Sequence, residues 1–197
     1  MRELAMSVGG RRLFDGLTFE VDEGEMVAVV GPSGSGKSTL LAAIADLLPV
    51  DSGVVHVRGD VGKASIHWVF QTAALLGRRS VADNVAVVAE LRGVPRPVAL
   101  ADARALLGDL GLGDRMSEPA YRLSGGEKQR VVIARALASR SEVVLADEPT
   151  AALDAEARRG VVSALRRAAD AGAAVVVATH DAWVAQRCTR IVDLADA

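Results

Sequence analysis

The chain has 197 residues, half of them apolar, with 23 Lys and Arg against 25 Asp and Glu and a net charge of −2. That length and composition bury one substantial core and predict a single domain with internal lobes. The balanced charge leaves no large basic surplus, which argues against nucleic acid as the main partner, since binding a phosphate backbone normally leaves a cluster of Lys and Arg on one face.

The opening stretch Met1–Arg12 carries no apolar signal core, which predicts a chain that stays in the cytosol. Leu17–Val21 alternates in polarity and predicts a strand, followed by the acidic turn Asp22-Glu23-Gly24-Glu25. Met26–Val30 is a short continuous apolar run, the pattern of a strand buried on both faces. From Ser38, apolar residues recur at Leu40, Leu41, Ile44, Leu47 and Leu48, which predicts an amphipathic helix reaching to Pro49. Val54–Val57 and Ser65–Phe70 read as strands around a turn at Gly59-Asp60. Val81 to Arg122 reads as mostly helical, with breaks at Gly93–Pro97 and Gly108–Gly113.

Glu127–Ala138 is predicted helical, Val143–Ala146 a second buried strand, Asp154–Ala171 a helix and Ala174–Ala178 a third buried strand. A last strand is expected over Thr189–Leu194. The longest apolar runs, Met26–Val30 and Ala173–Ala178, are too short to span a bilayer. Cys188 is alone, which rules out an internal disulfide and predicts a small buried apolar residue. Trp68 and Trp183 are expected to be packing residues. Helices alternating with continuous apolar strands predict an α/β fold with a mainly parallel sheet covered on both faces.

Between the first buried strand and its helix lies Gly31-Pro32-Ser33-Gly34-Ser35-Gly36-Lys37-Ser38-Thr39, a complete P-loop pattern. Glycines let backbone N–H groups converge on a phosphate, because no Cβ blocks the approach. The following helix adds the positive end of its dipole. Lys37 is placed for the β- and γ-phosphates of ATP, and the Ser38 hydroxyl for Mg²⁺. A lone GxG would be a turn; the full nine-residue match in this context is a phosphate cradle. A dinucleotide fingerprint does not fit, because Gly34-Ser35-Gly36 runs into Lys37-Ser38-Thr39 where a third glycine would be needed.

The second buried strand ends in Asp147-Glu148. Successive strand residues point to opposite sides, so the two carboxylates are expected to have different tasks. Asp147 would hold Mg²⁺ and Glu148 would orient and deprotonate the attacking water. Gln71 and His180 also follow buried strands, where ligands of an open parallel sheet gather. Gln71 is a candidate for the metal and the attacking water, His180 for the γ-phosphate.

Leu123-Ser124-Gly125-Gly126-Glu127-Lys128-Gln129-Arg130 resembles the LSGGQ signature of ABC ATPases, with Glu127 where Gln is commonest. The N–H groups of Ser124, Gly125 and Gly126, with the Ser124 hydroxyl, make a second anion site for a γ-phosphate held by another subunit. The resemblance runs in order through the P-loop, Gln71, the signature, Asp147-Glu148, the D-loop-like Ala151-Ala152-Leu153-Asp154 and the switch His180. It implies a P-loop NTPase with a RecA-like core, a small antiparallel β lobe and an inserted α-helical lobe. On that division residues 1–71 and 123–197 form the catalytic core with the β lobe, and 72–122 the helical lobe.

It further implies an ATP-binding and Mg²⁺-dependent ATP-hydrolysing subunit, dimeric with a like or unlike second nucleotide-binding subunit. Such a subunit powers transport through separate transmembrane permease subunits, on the inner face of the cell membrane. Leu145-Ala146-Asp147-Glu148-Pro149-Thr150 is similar to the variant in lipoprotein-releasing, macrolide-export and peptide-export ATPases, whereas many importers have Leu at the place of Ala146. Export is the expectation.

Three departures stand out. The position of the adenine-stacking aromatic is taken by Val8, the segment Asp60–Ala64 is shorter than in macrolide-type relatives, and the chain ends soon after its last strand. The alternatives are a non-transport ABC ATPase of repair or translation, whose coiled coils or paired domains are absent here, and a nucleotide-gated scaffold with weak hydrolysis.

Overall fold

The computed structural model describes residues 1–57, 65–70, 74–151 and 153–196. Among them the chain opens with strands β1 (Arg2–Val8), β2 (Arg11–Leu17) and β3 (Met26–Val30), then helix α1 (Lys37–Ile44). Strands β4 (Ser52–Val54) and β5 (Ile66–Val69) lead to helices α2 (Val81–Glu90), α3 (Arg96–Asp109) and α4 (Gly125–Ser139). The remainder is β6 (Val143–Asp147), α5 (Ala155–Asp170), β7 (Ala174–Ala178), α6 (Ala182–Ala185) and β8 (Arg190–Asp193).

Two sheets form. Strands β5-β6-β7-β3-β8 make a fully parallel sheet, and β2-β1-β4 a small antiparallel one. Alternation within each parallel strand sorts side chains between two cores. Val143 and Leu145 of β6, Val176 and Ala178 of β7 and Val29 of β3 join Leu40 and Leu41 of α1 with Leu4 and Phe14 of the antiparallel sheet. Val144, Ala146, Val175 and Val177 face the other way, into the core that α2 to α5 complete. The parallel sheet is thus buried on both faces, which is why its strands carry uninterrupted apolar runs.

The register brings Val69, Ala146 and Val177 side by side, and Asp147 opposite Ala178. The carboxyl ends of β5, β6 and β7 therefore share one edge of the sheet. The two strands Met26–Val30 and Ala174–Ala178 have the predicted bounds.

Other predicted elements shift, each for a local reason. The strand expected at Leu17–Val21 is instead β2, ending at Leu17. Past that point the Glu3 N–H donates to the Thr18 hydroxyl at 2.8 Å, so a side chain replaces the ladder acceptor. Helix α1 stops at Ile44, not before Pro49, because Asp46 takes a left-handed φ of 58° and leaves Leu47 and Leu48 exposed. The strand expected at Val54–Val57 is Ser52–Val54. After Asp109 the predicted helical stretch holds only two 3₁₀ turns, Gly113–Arg115 and Ala120–Arg122. Helix α6 had no periodic signal to announce it, being four residues long and capped by the Asp181 carboxylate. The turn predicted at Gly59-Asp60 lies outside the described residues.

His67 of β5 lies opposite Val144 of β6. Burial first, and then the charge of Arg135, push its pKa from 6.5 down to about 4. The unfolded chain therefore takes up a proton that the folded chain refuses, and stability falls as pH drops from 6.5 towards 4. At pH 5 this costs about 2 kcal/mol. Urea denaturation of wild type and His67→Gln at pH 7.5 and 5 should show a smaller pH dependence in the variant.

Candidate active site

The phosphate-loop residues line a cavity of about 670 Å³ formed by Val8, Leu13, Ser33, Gly34, Gly36, Lys37, Ser38, Thr39, Glu148 and His180. A larger cavity, about 1010 Å³, lies at the opposite end of the sheet beside Val143 and Ala174, away from these polar groups. Gly34 and Gly36 hold φ of 78° and 96°. Such angles strain any residue with a Cβ, and at Gly36 a Cβ would also press on Leu13 at 3.1 Å. Gly36 is the N-cap of α1, so the loop delivers the chain directly to a helix N-terminus with its unpaired N–H groups.

Lys37 is buried, its side chain only 9% exposed, and its ammonium is accounted for. Nζ donates to the Gly31 and Pro32 carbonyls at 2.8 and 3.1 Å and lies 3.9 Å from Glu148 Oε1. On the other side the same Glu148 oxygen is 2.8 Å from His180 Nδ1. Glu148 Oε2 accepts the His180 backbone N–H at 3.4 Å. One carboxylate thus joins three segments: the glycine loop after β3, the end of β6 and the end of β7.

Asp147 and Glu148 do diverge, but strand alternation is not the cause. Glu148 has a left-handed φ of 46°, which turns it out of the strand while its N–H donates to Ala178 O at 2.9 Å. A non-glycine residue held there costs about 1–2 kcal/mol, a strain the surrounding contacts must offset. Asp147 Oδ1 is buried and finds no hydrogen-bond partner among the described residues. Buried polar atoms are normally paired, so this oxygen is one that a ligand would satisfy. Gln71 lies outside the described residues.

Ser124, Gly125 and Gly126 are absent from the lining of this cavity. They start α4 with Ser124 as N-cap, its hydroxyl accepting the Glu127 N–H. A Cβ on Gly126 would lie 3.3 Å from Leu153 Cδ2, so the segment before α5 packs against the start of α4. Asp154 caps α5, its Oδ1 accepting the Glu156 and Ala157 N–H groups at 3.0 and 2.8 Å. The chain therefore carries two separate constellations.

The family profile described as ABC transporter matches residues 14–151, well over half of the chain. The chain belongs to the ABC transporter family. Among its ABC relatives, the macrolide export ATP-binding/permease protein MacB of Salmonella typhimurium is 41% identical over 192 residues, covering 91% of this chain and 30% of that protein. The lipoprotein-releasing system ATP-binding protein LolD 2 of Rhodospirillum rubrum is 42% identical over 194 residues, covering 91% of this chain and 84% of that one. The chain thus spans under a third of its MacB relatives and most of the length of LolD 2. A solved ABC cassette described as dimeric, in a post-hydrolysis state with ADP and Pi, matches with TM-score 0.82 at 29% identity, over 98% of this chain and 92% of that one. The architecture is that of a P-loop NTPase of the ABC ATPase type.

Some of the site had no sequence signal. Leu13 lines the cavity from the antiparallel sheet, and Arg158 pairs with Asp181 at 2.9 Å beside His180. Trp183 packs between the guanidinium groups of Arg158 and Arg187, 4.7 and 3.6 Å from its ring centre. Cys188 is half-buried, and burial pushes its thiol pKa up to about 11, as befits a packing residue.

Gly36→Ala combines the positive φ with the Leu13 contact. It should lower stability by about 1–3 kcal/mol. Loss of a charge-assisted backbone contact should also weaken nucleotide binding about tenfold or more. Denaturation and equilibrium nucleotide titration of the variant read both effects.

Proposed function

We propose that the chain is the ATP-binding and ATP-hydrolysing subunit of an exporter, driving transport through separate transmembrane permease subunits at the cytoplasmic face of the membrane. The observation that carries the hydrolytic part is Glu148 Oε1, held between Lys37 and His180 at the mouth of the glycine cradle. The names of the MacB and LolD 2 relatives support export and a membrane partner. Among the described residues, no helix is long and apolar enough to cross a membrane. Residues 1–71 and 123–197 form the catalytic part, and 72–122 the helical lobe that meets the permease.

The glycine loop Gly31 to Thr39 wraps the phosphates, with Lys37 on the β- and γ-phosphates. Val8 and Leu13 offer the base apolar contact, weaker than aromatic stacking because Val8 is aliphatic and half exposed. Ser38 and Asp147 suit Mg²⁺: one supplies a hydroxyl beside the loop, the other a buried carboxylate oxygen without a partner. Gln71 is the third candidate ligand by its place after β5. When bound, the metal supplies charge neutralisation on the phosphates.

Glu148 takes the proton of the attacking water, and its left-handed backbone aims it at the loop instead of into the sheet. His180, bonded to Glu148 through Nδ1, orients that carboxylate, and its Nε2, without a partner among the described residues, reaches for the γ-phosphate. Ser124, Gly125 and Gly126 lie outside this cavity, so they complete the site on a second copy or a related subunit, with ATP between. Asp154 stands where the two copies meet. The dimeric cassette with ADP and Pi supports this arrangement by likeness.

Glu148→Gln removes the base and keeps the shape. Turnover should fall about 10²–10⁴-fold with ATP binding retained. Sedimentation should show the variant accumulating as a dimer with ATP, and near-normal hydrolysis would show that another group is the base.

A further inference from the structure

The start of α4 carries a charge of its own. Ser124 N–H donates to Glu127 Oε2 at 2.8 Å, and Glu127 N–H donates to Ser124 Oγ at 3.3 Å, a reciprocal capping box. Of the donors at this helix end, those two are engaged, and among the described residues no acceptor is found for the Gly125 and Gly126 N–H groups, which suits them to an anion. The bond from Ser124 N–H, with the nearby Arg115 and Arg130 charges, holds Glu127 below the usual carboxylate range, so it is ionised at neutral pH. A phosphate approaching Ser124 therefore meets a carboxylate already resting on the turn. A neutral side chain would cap the helix equally well without opposing the incoming charge.

The counter-charge comes from twelve residues earlier. Arg115, in the 3₁₀ turn Gly113–Arg115, places Nε 3.4 Å from Glu127 Oε1 while its Nη1 donates to Glu118 Oε1 at 2.8 Å. Arg130 is the other nearby cation, but its Nη1 is bonded to Leu110 O. Arg115 is about half exposed and Glu127 largely buried.

We infer that Arg115 is a positioning residue for the ATP sandwich: it offsets the Glu127 charge so that the partner copy's γ-phosphate can seat on Gly125 and Gly126. This rests on the reading that the Ser124 turn receives the partner's phosphate. Arg115 touches no substrate; it acts through Glu127.

The experiment uses the full chain with Glu148→Gln and measures the dissociation constant of the ATP-dependent dimer by analytical ultracentrifugation. Glu127→Gln keeps the bond to Ser124 and removes the charge, and should tighten the dimer about five- to tenfold. Arg115→Gln should weaken it by a similar factor, Arg115→Lys should stay near the parent, and Arg115→Gln added to Glu127→Gln should change it by less than about twofold. ATP binding to dilute monomer should be unchanged throughout. A weaker dimer on Glu127→Gln would overturn the inference, since a structural ion pair alone predicts that sign. An equal Arg115→Gln effect in both backgrounds would overturn it too. The Glu127→Gln sign stands alone if Arg115→Gln fails to fold, which thermal unfolding reports. If the Glu148→Gln parent forms no dimer with ATP, the sandwich reading itself falls, and that result is distinct from a dimer without coupling.

Discussion

A single carboxylate oxygen organises this molecule. Glu148 Oε1 sits within 3.9 Å of Lys37 Nζ and 2.8 Å of His180 Nδ1, and these three residues arrive from three different strands. Glu148 and Lys37 are largely buried, where an unpaired charge is expensive and a paired one is strongly directed. The contact therefore ties the glycine loop, the end of β6 and the end of β7 to one carboxylate. It also explains why Glu148 tolerates a left-handed backbone: the same turn that strains the residue presents its carboxylate to the lysine.

The parallel sheet is what makes this meeting possible. Its strands are in register so that β6 and β7 end together, with β3 delivering the glycine loop beside them. Two cores lock the sheet in place, one beneath α1 and the antiparallel strands, the other beneath α2 to α5. The start of α4 lies away from this cavity and carries its own acid, Glu127. One chain thus holds a phosphate cradle and, apart from it, a second helix N-terminus.

Much of this could be read from residues alone, and the physical reason is burial. Met26–Val30 and Ala174–Ala178 are sheet interior on both faces, so an uninterrupted apolar run had no competing explanation. The glycine loop was equally legible, because its spacing serves backbone donors and not packing. Misreadings fell where single side chains or angles decide. Thr18 ends a ladder by accepting the Glu3 N–H, Asp46 ends a helix through its φ, and neither leaves a periodic trace. The divergence of Asp147 and Glu148 was foreseen from alternation, yet a positive φ produces it. Arg115 was invisible, because its tie to Glu127 exists only once the turn at Gly113–Arg115 packs beside α4.

On the proposed function, one copy cannot complete the reaction. The decisive measurement is the dependence of ATPase specific activity on protein concentration, with saturating Mg²⁺-ATP, from nanomolar to tens of micromolar chain. Specific activity should rise with concentration and fall towards zero on dilution. A flat specific activity across that range would show that each copy hydrolyses ATP alone.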